Sequence, residues 1–212
     1  MRLEDLKIPF EANEIEWRQQ SQGVSGNGKP WCMVLAYVSN RAIMNRLDSV
    51  CGLGGWQNEY QTGANGGVIC GISVKVENEW VTKYDGADNT QVEAVKGGLS
   101  GAMKRAGVQW GIGRYLYYLD ATFANTQIEK PQNMDGWNSG YDKKTNTKYF
   151  WQTPTLPNFA LPITNEARKQ IKELIEVKEV IAEDFFKYFK VTDLEQLNRE
   201  HSIKAIDLLQ KK

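Results

Sequence analysis

Between Thr90 and Tyr118 the charged residues are Lys96, Lys104, Arg105 and Arg114, against Glu93 alone. The whole chain sets 26 Lys and Arg against 26 Asp and Glu, so no overall field draws in a polyanion, and any attraction has to come from such a local cluster. The stretch before it, from Cys51 to Asn89, is net acidic. Among the cations sit Gly97, Gly98 and Gly101, and a glycine inside a helix costs about 1 kcal/mol relative to alanine, so they need a reason. One reason is that small residues flanked by Lys104 and Arg105 let a phosphate backbone lie close while the cations grip it, a mode of binding indifferent to base sequence. The other is that the glycines allow close helix packing in an oligomer while the cations form a solvated face. Both stay open on the residues alone. Arg41 and Arg46, on an earlier helix, extend a basic path, unless Arg46 pairs with an acid on its own helix surface.

Other chemistries find less support. His201 is the only histidine and lies near the carboxy terminus, away from the cluster, so histidine-based acid-base or metal catalysis has no foothold. Asp85, Asp88 and Glu93, followed by Lys96, suggest as an alternative a divalent-metal-dependent nuclease. However, Glu93 and Lys96 are three apart on an expected helix, where they more simply form an ion pair. Gly111-Ile112-Gly113 lacks the third glycine and the preceding strand of a dinucleotide fingerprint, and no Walker A run occurs, so no ATP-driven step and no cofactor are expected. Tyr115, Tyr117 and Tyr118 could stack bases beside a basic groove, at about 1 to 3 kcal/mol per base. Trp110 and Leu116 read as core. Cys32, Cys51 and Cys70 are too widely spaced for a zinc site or a disulfide framework and read as small buried hydrophobes in a reducing compartment. The charged amino terminus lacks the apolar core of a signal peptide, and no run suits a membrane helix, so a cytoplasmic protein is expected.

The elements that must position the cluster follow from periodicity. Trp31 to Tyr37 forms a strand, and Ser39 caps a helix to about Cys51 with Ile43, Leu47 and Val50 on one face, stopped by Gly52, Gly54 and Gly55. From Trp56 the period becomes two. Trp56 to Thr62 alternates, Ala64-Asn65-Gly66-Gly67 turns, and Val68, Cys70, Ile72, Val74 and Val76 share a face. Glu77-Asn78-Glu79 turns again before Trp80 to Tyr84. The apolar face of this meander needs a cover. The next helix supplies it, with Thr90 and Glu93 as a capping box and Val92, Val95, Leu99, Ala102, Met103 and Ala106 within an arc of roughly 100°. The fold class is therefore α+β: a β-β-β-α core with an antiparallel meander packed on a basic helix. Residues 121–162 form a polar-tipped hairpin, Tyr141 to Trp151, and a Pro-bearing linker. Residues 163–212 carry ten basic and ten acidic residues, with Thr192 and Glu195 as a second capping box, and form a small solvated helical module.

The ordered set formed by Asn40-Arg41-Ala42-Ile43 on a helix, Gly55-Trp56 at its end, the meander, Met103-Lys104-Arg105-Ala106 and Trp110-Gly111-Ile112-Gly113-Arg114-Tyr115-Leu116-Tyr117 resembles the Rad52/Rad22 strand-annealing family, most of all its bacteriophage branch. The resemblance covers residues from about 11 to 120. It implies a ring-forming core over residues 1–120 that binds single-stranded DNA and anneals complementary strands without ATP, in recombination and repair, with no covalent catalysis. By the same resemblance Arg41, Lys96, Lys104 and Arg105 match the family's DNA-contacting positions. Arg114 joins them as a fifth DNA-binding residue. Gly97 and Gly98 stand where eukaryotic members carry further lysines, which leaves a second, outer DNA site in doubt. Residues 163–212 then serve as a partner-binding module, for the host single-stranded DNA-binding protein or a phage exonuclease, in the cytoplasm of a bacterial host.

Overall fold

The computed structural model describes residues 2–63, 66–89 and 94–212. In chain order the elements are β1 (Ile15–Val24), β2 (Pro30–Val38), α1 (Asn40–Cys51), β3 (Trp56–Thr62), β4 (Val68–Val76), β5 (Glu79–Ala87), α2 (Ala94–Gln109), β6 (Thr122–Phe123), β7 (Thr126–Gln127), β8 (Trp137–Asp142), β9 (Thr147–Gln152), α3 (Asn165–Val177), α4 (Ala182–Phe189) and α5 (Arg199–Lys211). The strands form three sheets, ordered β1-β2-β6, β3-β4-β5 and β7-β9-β8. Helices and antiparallel sheets together make the chain α+β, as its periodicity implies. It divides into two units, residues 1–14, 38–115 and 157–212 in the first and 15–37 and 116–156 in the second.

In the first unit β4 is the central strand of the meander. It pairs with β3 from Trp56↔Val74 to Thr62↔Val68, and with β5 from Val76↔Glu79 to Val68↔Ala87. The β4–β5 turn holds just Glu77 and Asn78, at φ 48° and 70°, the two-residue left-handed turn that suits strand twist. Cys70, Ile72 and Val74 are wholly buried on one face, and α2 covers that face with Ala102, Met103 and Ala106. Leu99 is half-buried and Val95 is exposed, so the covering arc begins later than periodicity suggests. The Thr90–Glu93 capping box, Val92, and Ala64-Asn65 of the first turn lie outside the described residues.

Helix α1 starts where its cap predicts, with the Ser39 hydroxyl accepting from the Ala42 N–H at 3.2 Å. Ile43 and Leu47 are buried, and the helix stops at Gly52, whose φ of 78° is open to glycine and strained for other residues. The Trp56 indole then donates to Asp48 at 2.7 Å, tying the first strand of the meander to the helix end.

Helices α3, α4 and α5 enclose a core of Ile171, Phe185, Phe189, Leu197, Ala205 and Leu209. Thr164 caps α3 and Asn198 caps α5. The expected Thr192–Glu195 box does not form. Asp193 instead accepts from the Glu195 N–H at 2.9 Å, over a short 3-10 turn, while the Thr192 N–H donates to Gln196 Oε1. An aspartate reaches an amide two residues on without a full helical turn, and here that local bond prevails.

In the second unit the β8–β9 hairpin forms with the expected polar tip, but its pairing runs from Trp137↔Gln152 to Asp142↔Thr147 and so starts four residues before the expected Tyr141. Its core gathers Cys32, Val34, Ala124, Tyr149 and Trp151. Strand β1 was not expected. Gln19 donates to the Tyr149 hydroxyl at 2.8 Å, and that hydroxyl donates to Gln22 at 2.6 Å. Burial along β1 alternates without a break, Gln19 half-buried and Gln22 exposed, so the two side chains reach one hydroxyl from opposite faces of the strand. Cys32 and Cys70 are buried free thiols whose desolvation raises their pKa values, that of Cys70 to about 11; Cys51 is half-buried.

Candidate nucleic-acid interface

Two of the glycines on α2 find their reason inside the chain. A Cβ at Gly98 would lie 2.8 Å from Cγ2 of Val68 and 2.6 Å from Oδ1 of Asn89, and one at Gly101 would lie 2.9 Å from the Cβ of Ala87. The glycines therefore let α2 lie down on the ends of β4 and β5, which is neither of the two reasons open at the level of sequence. Gly107 receives Ile43 of α1 in the same manner, at a looser 3.4 Å.

Round the helix Gly101 and Gly98 lie on either side of Arg105, so that cation leaves α2 at the edge that meets β5, while Lys96 and Lys104 lie away from it. At about 100° per residue, Lys104 stands about 80° round from Lys96 and about 100° from Arg105. Lys104 thus lies between Lys96 and Arg105 round the helix, with the sheet-contacting Gly101 in the interval toward Arg105. Lys96 and Arg105 are exposed and Lys104 is half-buried.

Arg105 leans over β5, where its Nε donates to Oδ1 of Asp85 at 2.9 Å. Asp85 also accepts from Gln109 at 2.9 Å and from the Gly86 N–H at 2.8 Å. Burial pushes the Asp85 carboxyl up, but these donors and the charge of Arg105 outweigh it and hold the group below its ordinary value.

Arg114 lies at the carboxy-terminal end of α2. Its Nε and Nη2 donate to the Val108 carbonyl at 2.9 and 2.7 Å, and Nη2 also reaches the Gln109 carbonyl at 2.8 Å. Lys83 of β5 donates to the same Gln109 carbonyl at 3.2 Å, with its ammonium 4.3 Å from the centre of the Trp110 ring. Both side chains satisfy helix-end carbonyls at the negative pole of the helix dipole. Arg41 is exposed in the first turn of α1, the helix that rests on α2 through Ile43. Lys96, Lys104, Arg105 and Arg114 therefore belong to one helix and its end, and Arg41 to the helix packed beside it.

Residues 3–135 match the model of the Rad52/22 family of double-strand break repair proteins. The chain belongs to this family. It is 30% identical over 168 residues to the single-stranded DNA-binding protein DdrA of Deinococcus radiodurans, an alignment spanning 76% of this chain and 70% of that protein. It is 28% identical over 168 residues to DdrA of Deinococcus deserti, across 76% of this chain and 73% of the relative.

For this Rad52/22 family member, three residues take roles that the sequence did not assign. Arg46 does not pair with an acid on its own helix. Its Nη1 donates to the carbonyls of Asp5 at 3.2 Å and Ile8 at 2.5 Å, and its guanidinium lies 4.1 Å from the centre of the Phe10 ring. It anchors the amino-terminal segment to α1. Lys83 and Asp85 stand opposite Ile72 and Cys70 in the β4–β5 register, on the face that α2 covers. Charged residues at positions which a period of two assigns to the core were the signal available for both.

Of the carboxylates weighed for a nuclease, Asp85 has both oxygens engaged as described, Asp88 is exposed, and Glu93 lies outside the described residues. Trp110 is buried, its indole donating to the Ile72 carbonyl at 2.9 Å, so it is core as expected. The Tyr115 hydroxyl accepts from the Phe10 N–H at 2.9 Å, and desolvation pushes its pKa up to about 12. In the second unit Leu116 is buried, while Tyr117 and Tyr118 are 66% and 77% exposed.

Proposed function

We propose that this protein binds single-stranded DNA along the outward face of α2 and anneals complementary strands without ATP, as a homo-oligomeric ring in recombination and repair. Lys96, Lys104 and Arg105 grip phosphates along the helix, Arg114 adds charge at its end and Arg41 continues the path on α1. The observation that supports this reading is the exposure of Lys96 and Arg105 on α2, the helix that Gly98 and Gly101 seat on the sheet, in a member of a family of break-repair proteins. The relatives named for single-stranded DNA binding support the ligand. A continuous line of phosphate contacts that ignores base identity suits annealing, because the bases stay available to a second strand.

Oligomerisation has support in the meander. Among the described residues β3 and β5 are both outer strands, and no side chain of β3 is buried, so each offers an edge for a neighbouring copy to cover. Residues 163–212, with their own apolar core, serve in the same proposal to recruit a partner such as a single-stranded DNA-binding protein or an exonuclease. Among the described residues no helix is long and apolar enough to cross a membrane.

The test mixes complementary oligonucleotides with the protein, with and without ATP and magnesium, and measures molecular mass by light scattering. Duplex formation that needs neither additive, by an assembly larger than a tetramer, is the expected result. Shortened strands that appear only with magnesium would instead establish a nuclease.

A further inference from the structure

An acid beside a phosphate-binding helix works against binding unless it does something else. Asp85 belongs to the sheet face that α2 covers, opposite the wholly buried Cys70, and its side chain is only 17% exposed. Gln109, the Gly86 N–H and Arg105 each donate to it, so the carboxylate is held from several directions. Arg105, in contrast, is a long side chain with 53% exposure, which left alone would wander among rotamers. The bond between them uses Nε of Arg105. A guanidinium carries four further N–H donors on its two Nη atoms, in the planar fork that matches a phosphate.

We propose that Asp85 is a positioning residue for nucleic-acid binding: by holding the Nε edge of Arg105 it fixes the guanidinium plane and presents the Nη fork to a phosphate. The inference rests on the reading of α2 as the DNA-binding face. Asp85 raises the contribution of Arg105 by removing the need to order it at the moment of binding, and this offsets the repulsion that its own charge exerts on the strand. A helix-to-sheet staple with no role in binding would leave affinity unchanged once the protein is folded. A plain counter-charge would make every neutral replacement bind more tightly.

The experiment is a double-mutant cycle on the full chain, read by the fluorescence anisotropy of a labelled oligothymidylate at fixed salt, with circular dichroism to confirm folding. Arg105→Ala weakens binding by about tenfold in the parent but by less than about threefold in the Asp85→Ala background, because Arg105 is no longer aimed there. Asp85→Asn keeps an oxygen that accepts from Nε and discards the charge. It therefore binds at least as tightly as the parent and retains the full Arg105 effect, whereas Asp85→Ala binds more weakly than the parent. Should Asp85→Ala fail to fold, the comparison of Asp85→Asn with Asp85→Leu carries the same test. The inference is overturned if both neutral variants tighten binding alike and leave the Arg105→Ala effect undiminished. If Arg105→Ala has no effect in the parent itself, the assignment of the α2 face is what fails, and this inference falls with it.

Discussion

Replacing Gly101 with Ala sets helix propensity against packing, and the geometry decides the sign. Alanine in a helix interior is favoured over glycine by about 1 kcal/mol. Against that gain, the new Cβ would lie 2.9 Å from the Cβ of Ala87, where carbon atoms rest comfortably at about 3.5 to 4.0 Å. Neither atom has a rotamer to change, so α2 and β5 must move apart, and overpacking of this kind costs about 1 to 3 kcal/mol. The net expectation is a loss of up to about 2 kcal/mol. Gly98→Ala meets Cγ2 of Val68 at 2.8 Å, a stiff β-branched side chain, and should share that sign. Gly107→Ala is the control. Its Cβ would sit 3.4 Å from Ile43, the neighbour can yield, and the helix gain of up to about 1 kcal/mol survives. For a chain of this size each kcal/mol moves Tm by about 2 to 4 °C. Thermal unfolding of the three variants at one protein concentration should therefore show Gly101→Ala and Gly98→Ala melting below Gly107→Ala. If Gly101→Ala raised Tm as much as Gly107→Ala while weakening oligonucleotide binding, the glycine would be making room for a ligand, and the packing account would be wrong.

Lys104→Ala and Arg105→Ala should each weaken oligonucleotide binding without lowering Tm appreciably, and each should reduce the slope of log affinity against log salt by about 0.7; unchanged slopes would remove both from the interface. Arg46→Ala should destabilise the fold by about 2 to 4 kcal/mol in urea unfolding, because it strips the donor from the carbonyls of Asp5 and Ile8 and uncovers Phe10, and Arg46→Lys should not restore stability. The Asp142 carboxyl is held below its ordinary value by the Lys144 N–H, then by Thr145 and the Val24 N–H, against burial. Its stabilising effect should be complete above the ordinary carboxylate range and fade as pH falls through its lowered pKa, so acid unfolding of Asp142→Asn should lack that component.

Much of the first unit was legible because single residues there decide single features. Ser39 before Ile43 and Leu47 marks a helix start, Gly52 marks its end, and Cys70, Ile72 and Val74 at a spacing of two mark a strand buried on one side. Strand β1 was not legible, because its inward positions include Gln19, Ser21 and Gly23, and the glutamine is satisfied by Tyr149 more than a hundred residues away. Periodicity reads apolar residues, and a polar side chain can face inward only when a distant partner meets it, which the local sequence does not show. Thr192 misled for the opposite reason, since the pattern of a cap was present but Asp193, one residue later, had a shorter route to an amide.

The cations were found as residues but not as a surface. Their types and spacing identify Lys96, Lys104 and Arg105 as candidates, yet which of them points outward depends on how α2 is rolled on the sheet, and that roll is set by Gly98 and Gly101 meeting Val68 and Ala87. The same contacts bring Arg105 over β5, where Asp85 waits in a register that only strand pairing fixes. A charged residue read from sequence is counted as part of a field; placed by packing, it acquires a direction. Arg46 and Arg105 show the difference: both are arginines set off an apolar stripe, one spends its donors on the carbonyls of Asp5 and Ile8, and the other is held through Nε by a carboxylate of the neighbouring strand.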